Sequence, residues 1–290
     1  MLASLFAASF LLQAVISVHT ELVAVPVTVL DHRGSPLTGL SPADFRVFDN
    51  GRPSPILAFR QGDEPVTLGV IVDASLSMAT KTPAVLAAVS AVLDSSRAET
   101  ELFAVDFNDQ VAFVLPQGRG FTHDAAALRV ALTSIRAEGR TALYDGVLRG
   151  LEHLQRGHTN RRILIVISDG GDNASRGTYA EVLALARRSD AVIYGIGLLG
   201  SSSMDEEENA GVLKRLCRDT GGVAYFPRTL DQIASASADV ARTVREQYTL
   251  GFAPAPRAEG PAFRTIKVTV RAQGHGHLRI RTRSGYVIEP

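Results

Sequence analysis

Two apolar runs, residues 66–72 and 163–168, carry no charge, and each is followed at once by an aspartate, Asp73 and Asp169. A strand that is apolar on both sides has to be covered on both faces, and a parallel sheet flanked by helices provides that cover. The sequence between and after the two runs supplies the helices. Thr82-Pro83 offers a cap and a proline at the first helical position for a helix over 83–96. Further helical patterns cover 124–136, 142–155, 179–188, 207–219 and 231–247, and strands fit 101–107, 111–115, 191–197 and 223–226. This alternation predicts an α/β fold: a doubly wound, mostly parallel sheet over residues 65–247.

The flanks have a different period. Residues 21–62 alternate through Leu22, Val23, Val25, Val27 and Val29, and Asp49-Asn50-Gly51-Arg52 signals a hairpin between 45–48 and 56–59. Residues 248–290 return to strands at 248–252, 263–270 and 278–288. Each flank has about forty residues, too few for a core of its own. The two are therefore expected to pair into one small, discontinuous β-sandwich into which the α/β domain is inserted.

Composition narrows the function classes. Of 290 residues, 46% are hydrophobic and 21% charged, proportions of a folded globular chain. Lys and Arg number 30 against 30 Asp and Glu, so no net charge draws the chain to nucleic acid or to an anionic membrane. Cys217 stands alone, cannot form an internal disulfide, and belongs to the core pattern Val212, Leu213, Leu216. Residues 1–18 are apolar or small, without charge before Glu21, which predicts a signal peptide, although the usual basic start is missing. Cleaved or retained as an anchor, this segment points to an extracytoplasmic location: secreted, periplasmic or cell-envelope. No other apolar run reads as long enough to span a membrane.

In open α/β sheets, ligands bind beyond the carboxyl ends of the strands, where strand order reverses. Three loops are expected to meet there: Asp73-Ala74-Ser75-Leu76-Ser77-Met78, Gly139-Arg140-Thr141-Ala142 and Ser168-Asp169-Gly170-Gly171-Asp172-Asn173. Together they offer the carboxylates of Asp73 and Asp169 and the hydroxyls of Ser75, Ser77 and Thr141. These hard oxygen donors suit Mg²⁺, Mn²⁺ or Ca²⁺ and lack the His and Cys that zinc recruits. Two carboxylates about 4 Å apart repel by roughly 4 kcal/mol at an effective dielectric of 20, a conflict that a dication removes. Five protein oxygens leave an ion of about six-fold coordination at least one open position for an outside anionic oxygen.

Each of these residues also has a plainer role. An aspartate after a strand is commonly a helix N-cap, Asp172 in a glycine-rich loop is an alternate ligand or a turn former, and Asp145 either orients a site group or answers the helix dipole. His275 and His277 fit a surface turn, residues 205–208 a solvated acidic loop, and Gly195 and Gly197 lack the third glycine of a dinucleotide fingerprint.

Asp73-x-Ser75-x-Ser77, followed in order by Thr141 and Asp169, resembles the metal-ion-dependent adhesion site of von Willebrand factor type A domains, over about residues 66–244. Membership would imply a Rossmann-like domain in which Ser75, Ser77 and Thr141 touch the metal and Asp73 and Asp169 bind it directly or through water. It would also imply capture of a carboxylate from a partner protein and no catalytic residue. Leu76 stands where many bacterial members have glycine. The flanks, at 40–51, 263–268 and 283–286, resemble a secreted bacterial subgroup. Two other readings compete. A metal-assisted hydrolase could use Ser75 or Asp73, yet no histidine base lies near the motifs and the one lysine there is Lys81. Alternatively, an ion could merely stabilise the loops of a structural protein.

Overall fold

The computed structural model describes residues 22–62, 64–115, 120–199, 204–255 and 263–288, with backbone alone for 204–208. The expected signal peptide lies outside the described residues. The chain opens with β1 (Val23–Leu30), β2 (Phe45–Asp49), β3 (Arg52–Ser54) and β4 (Ala58–Gln61). The α/β portion follows as β5 (Val66–Asp73), α1 (Thr82–Asp94), β6 (Glu101–Phe107), β7 (Val111–Phe113), α2 (Ala125–Leu132), α3 (Leu143–Leu154), β8 (Arg161–Ser168), α4 (Tyr179–Arg188), β9 (Val192–Gly197), α5 (Met204–Thr220), β10 (Ala224–Tyr225) and α6 (Leu230–Glu246). It closes with β11 (Tyr248–Phe252), β12 (Phe263–Val270), β13 (Arg279–Thr282) and β14 (Gly285–Val287).

The central sheet runs β10-β9-β8-β5-β6-β7, parallel throughout except for β7. Alternation along β5 sends Leu68, Val70 and Val72 into one core with Val89 of α1 and Val240 of α6. Ile71 goes into the other, with Leu151 of α3, Val182 of α4 and Leu213 of α5. Gly69 is the exception in β5, because a Cβ there would stand 2.3 Å from the Phe103 ring. The chain leaves β5 toward β6 on one side and later fills β8 on the other, so strand order reverses at β5 and a crevice opens between the loops after β5 and β8.

The flanks interleave as the fold class requires. One sheet is β13-β1-β11-β4 and the other β14-β12-β2-β3, each mixing strands from both ends of the chain. Val25 pairs with Leu250, Val29 with Ile280 and Val47 with Val268. A shared core holds Val25, Val27, Phe45, Tyr248, Phe252 and Ile266.

Several expected boundaries are corrected. The turn at Asn50-Gly51 forms, both residues left-handed (φ 48° and 78°), but it sets Asp49 opposite Arg52, so β3 is the hairpin partner of β2. Residues 56–59 do not pair with β2; instead β4 joins β11 in the other sheet. The single strand expected over 278–288 breaks into β13 and β14, which belong to different sheets. Arg283 sits in the break, 4% exposed, its Nε donating to the Gly285 carbonyl at 2.9 Å. Thr82 is the first residue of α1 and not its cap, because a 3₁₀ segment over Leu76–Lys81 runs straight into the helix. Leu76–Asp94 is, by length and composition, apolar enough to span a membrane, contrary to the reading of the sequence, but Val85, Ala88, Val89, Val92 and Leu93 pack into the core.

The sandwich meets the α/β portion at the amino-terminal edge of the parallel strands. Arg161, opening β8, donates to the Gly62 carbonyl at 3.4 Å and to the Val244 carbonyl. Arg283 pairs with Asp190 and reaches the Ala24 carbonyl at 3.4 Å, while the Ser284 N–H bonds the Asp219 carbonyl at 3.1 Å.

Candidate metal centre

At the opposite edge of the sheet, β5 ends in Asp73, which is 2% exposed. Its Oδ1 accepts the Ser75 N–H at 2.9 Å, so the chain turns sharply out of the strand, and its Oδ2 accepts the Ser168 hydroxyl at 2.6 Å. The turn delivers two serines side by side, Ser75 Oγ lying 3.1 Å from Ser77 Oγ. Ser77 Oγ in turn donates to Oδ2 of Asp169 at 2.7 Å, across the crevice on the β8 loop. Asp169 closes its own turn by accepting the Gly171 N–H at 3.3 Å. Gly170 between them adopts φ 87°, and a Cβ there would meet the Asn209 carbonyl oxygen at 2.5 Å, so the loop needs glycine. Ser168, Asp73, Ser75, Ser77 and Asp169 thus form one continuous chain of polar contacts. Neither aspartate caps an α-helix: the N-cap of α1 is Lys81 and that of α4 is Thr178.

Thr141 belongs to the third loop, which is sewn to the other two through backbone. Leu76 N–H donates to the Gly139 carbonyl at 3.1 Å and Glu138 N–H to the Ala74 carbonyl at 2.9 Å. Thr141 N–H donates to Asn173 Oδ1 at 2.9 Å, and its carbonyl accepts from Asn173 and Ala174 at 2.9 and 3.0 Å. The residue is 5% exposed. Among the described residues, its hydroxyl makes no hydrogen bond to the other four expected ligands.

Burial pushes the Asp73 carboxyl above its ordinary value, and the charge of Asp169 pushes the same way, against the bonds from Ser168 and Ser75. A desolvated carboxylate beside a second acid and two serine hydroxyls is the arrangement that a hard dication stabilises. Among the described residues no cluster of three or more His, Cys, Asp or Glu occurs, which leaves hydroxyls as the further donors. The residues present fit Mg²⁺, Mn²⁺ or Ca²⁺ and not zinc.

The two acids left open in the sequence are both engaged in holding loops. Asp172 Oδ1 accepts from Ser175 Oγ at 2.5 Å and from the Tyr144 N–H at 3.3 Å, so it ties the β8 loop to the start of α3. Asp145 accepts the Arg176 and Gly177 N–H groups at 2.9 and 2.8 Å and fixes the far end of the same loop. Three residues that the sequence places in or near the motifs without a role are contributors: Ser168, Asn173 and Lys81, whose Nζ lies 3.4 Å from Asp169 Oδ2. The position of Ser168 as the last residue of an apolar strand was the available signal for it.

The sequence profile of the von Willebrand factor type A domain matches residues 68–239, more than half of the chain. The chain belongs to this family. The matched region runs from β5 into α6 and contains all three candidate loops. A von Willebrand factor type A protein from Catenulispora acidiphila superposes with a TM-score of 0.51 at 14% identity, covering 92% of this chain and 75% of that one, and so shares its fold. Two other similar structures fall at lower scores. The vWF domain of the type V pili tip protein Mfa5 from Porphyromonas gingivalis gives 0.48 at 13% identity, covering 64% of this chain and 96% of that one. The pilus adhesin SpaC from Lactobacillus rhamnosus GG, in an open conformation, gives 0.49 at 11% identity, covering 86% and 48%. No curated protein sequence matches the chain.

Proposed function

We propose that this von Willebrand factor type A protein is an extracytoplasmic, non-enzymatic protein-binding module that captures a carboxylate of a partner through a bound divalent cation. The ion is Mg²⁺, Mn²⁺ or Ca²⁺. Ser75, Ser77 and Thr141 supply hydroxyl ligands, and Asp73 and Asp169 bind directly or through water. The supporting observation is the polar chain from Asp73 through Ser75 and Ser77 to Asp169, which gathers oxygens from two loops around a carboxyl that burial disfavours as an anion. When bound, the ion supplies a Lewis-acidic position for an outside oxygen. The chain's own residues hold the ion and orient the loops. The extracytoplasmic assignment draws on the apolar first 18 residues.

Hydrolysis finds less support: hydrolytic use of Ser75 or Ser77 calls for a base free to take the hydroxyl proton, and among the described residues neither hydroxyl is hydrogen-bonded to a histidine, while the carboxylate that accepts from Ser77 is Asp169, itself assigned to the ion. The test is capture of proteins from the native cell envelope by wild type and Asp73→Ala, in Mn²⁺ and in chelator. Capture that requires both Mn²⁺ and Asp73 is expected. Equal capture in chelator would overturn the mechanism, and turnover of ester or phosphoester probes would overturn the non-enzymatic reading.

A further inference from the structure

We propose that the Lys81 ammonium is a tethered counter-ion of the metal-free site, and that it must leave Asp169 for a divalent ion to bind. This inference rests on the metal-binding reading above. Lys81 Nζ stands 3.4 Å from Asp169 Oδ2, with side chains only 21% and 14% exposed. The same oxygen accepts the Ser77 hydroxyl at 2.7 Å, and Ser77 lies 3.1 Å from Ser75 Oγ. The ammonium therefore shares an acceptor with a proposed ligand and borders the set that would surround the metal.

Local structure fixes this placement. Lys81 ends the 3₁₀ segment that begins just after Ser75, and buried Met78 anchors that segment to the core. Lys81 also occupies the N-cap position of α1 without making a side-chain cap bond, so capping does not explain the lysine. The amino-terminal end of a helix is itself a region of partial positive charge, so this lysine adds to a field that already opposes a cation. A dication coordinated directly through Asp169 Oδ2 would lie within about 6 Å of an ammonium that stayed in place, given the 3.4 Å contact and metal–oxygen distances of about 2–2.6 Å. Like charges at that range disfavour simultaneous occupancy. The flexible four-carbon stem allows the ammonium to swing into solvent, so the site exchanges an internal cation for an external one. Lys81 thereby raises the ion concentration at which the site fills.

The test is direct titration of the full chain with Mn²⁺, followed by paramagnetic resonance of the free ion, for wild type, Lys81→Met and Lys81→Arg, together with melting in chelator. Lys81→Met is expected to bind Mn²⁺ about tenfold more tightly, a scale set by the effect of a neighbouring like charge, while Lys81→Arg stays near wild type. In chelator, Lys81→Met should melt a few degrees lower, since Asp169 loses its internal partner. If Lys81→Met fails to fold, Lys81→Gln gives the same comparison. Equal or weaker Mn²⁺ binding by the neutral variants would overturn the role of Lys81 and leave the metal site standing. Absence of Mn²⁺ binding in both wild type and the neutral variants would overturn both.

Discussion

Asp73 shows how a residue can be costly to the fold at a position proposed to serve a site. Its carboxyl is pushed up by burial first and by Asp169 in addition, so at neutral pH the ionised form opposes folding, and this cost lifts as pH falls through the raised value. In chelator at neutral pH, Asp73→Asn is therefore expected to melt above wild type, with the gap closing on acidification, while losing Mn²⁺ binding. A variant that melts lower at neutral pH would contradict the sign. His153 works in the opposite direction. Burial lowers its basicity against the hydrogen bond to the Gly120 carbonyl, and Phe103, Phe113 and Phe121 surround the ring at centroid distances of 4.5–4.6 Å. The neutral ring's contribution is complete above the ordinary histidine value of 6.5 and is lost as pH falls through the depressed folded value. His153→Leu should flatten the part of the stability profile between 6.5 and that depressed value, measured by denaturant midpoints at stepped pH. Single positions were also the hardest to read in advance. Ser168 and Lys81 act through loops distant in sequence, and Arg161 and Arg283 are 6% and 4% exposed although arginine normally signals a surface.

At the level of elements, the parallel strands were legible because their signal is local: eight consecutive buried residues in β5 leave no solvent face to confuse the pattern. The antiparallel flanks were less so. The alternation in 56–59 satisfies any antiparallel neighbour, so the turn at 50–51 suggested a hairpin with 45–48, whereas the strand there pairs with β11 in the other sheet. Likewise 278–288 carries strand character across a break where the chain changes sheets. Helix faces give a quantitative contrast. Leu151 on α3 is fully buried between helix and sheet, and Leu151→Ala should cost about 3 kcal/mol. Val130 on α2 is 70% exposed, and Val130→Ala should stay within about 0.5 kcal/mol. Urea denaturation of both variants checks the assignment of faces, and comparable losses would refute it.

Across the whole molecule, the candidate metal centre and the sandwich occupy opposite edges of the central sheet. Arg161, Arg283 and Ser284 bind the two parts at the edge away from Asp73 and Asp169. Residues 65–247 expressed alone should therefore retain Mn²⁺ affinity to within about threefold, as expected of a part with its own core. Loss of binding in a folded fragment would show that the flanks shape the site. The interleaving of the sandwich bears also on the order of assembly. Val23 pairs with Phe252 and Val27 with Thr282, so the first strand emerges long before any strand able to cover its edges. The α/β insert can collapse while β1 waits, and the sandwich closes last. A ribosome that stalls before β13 releases a chain with a bare apolar ribbon, a natural target for chaperones and proteases.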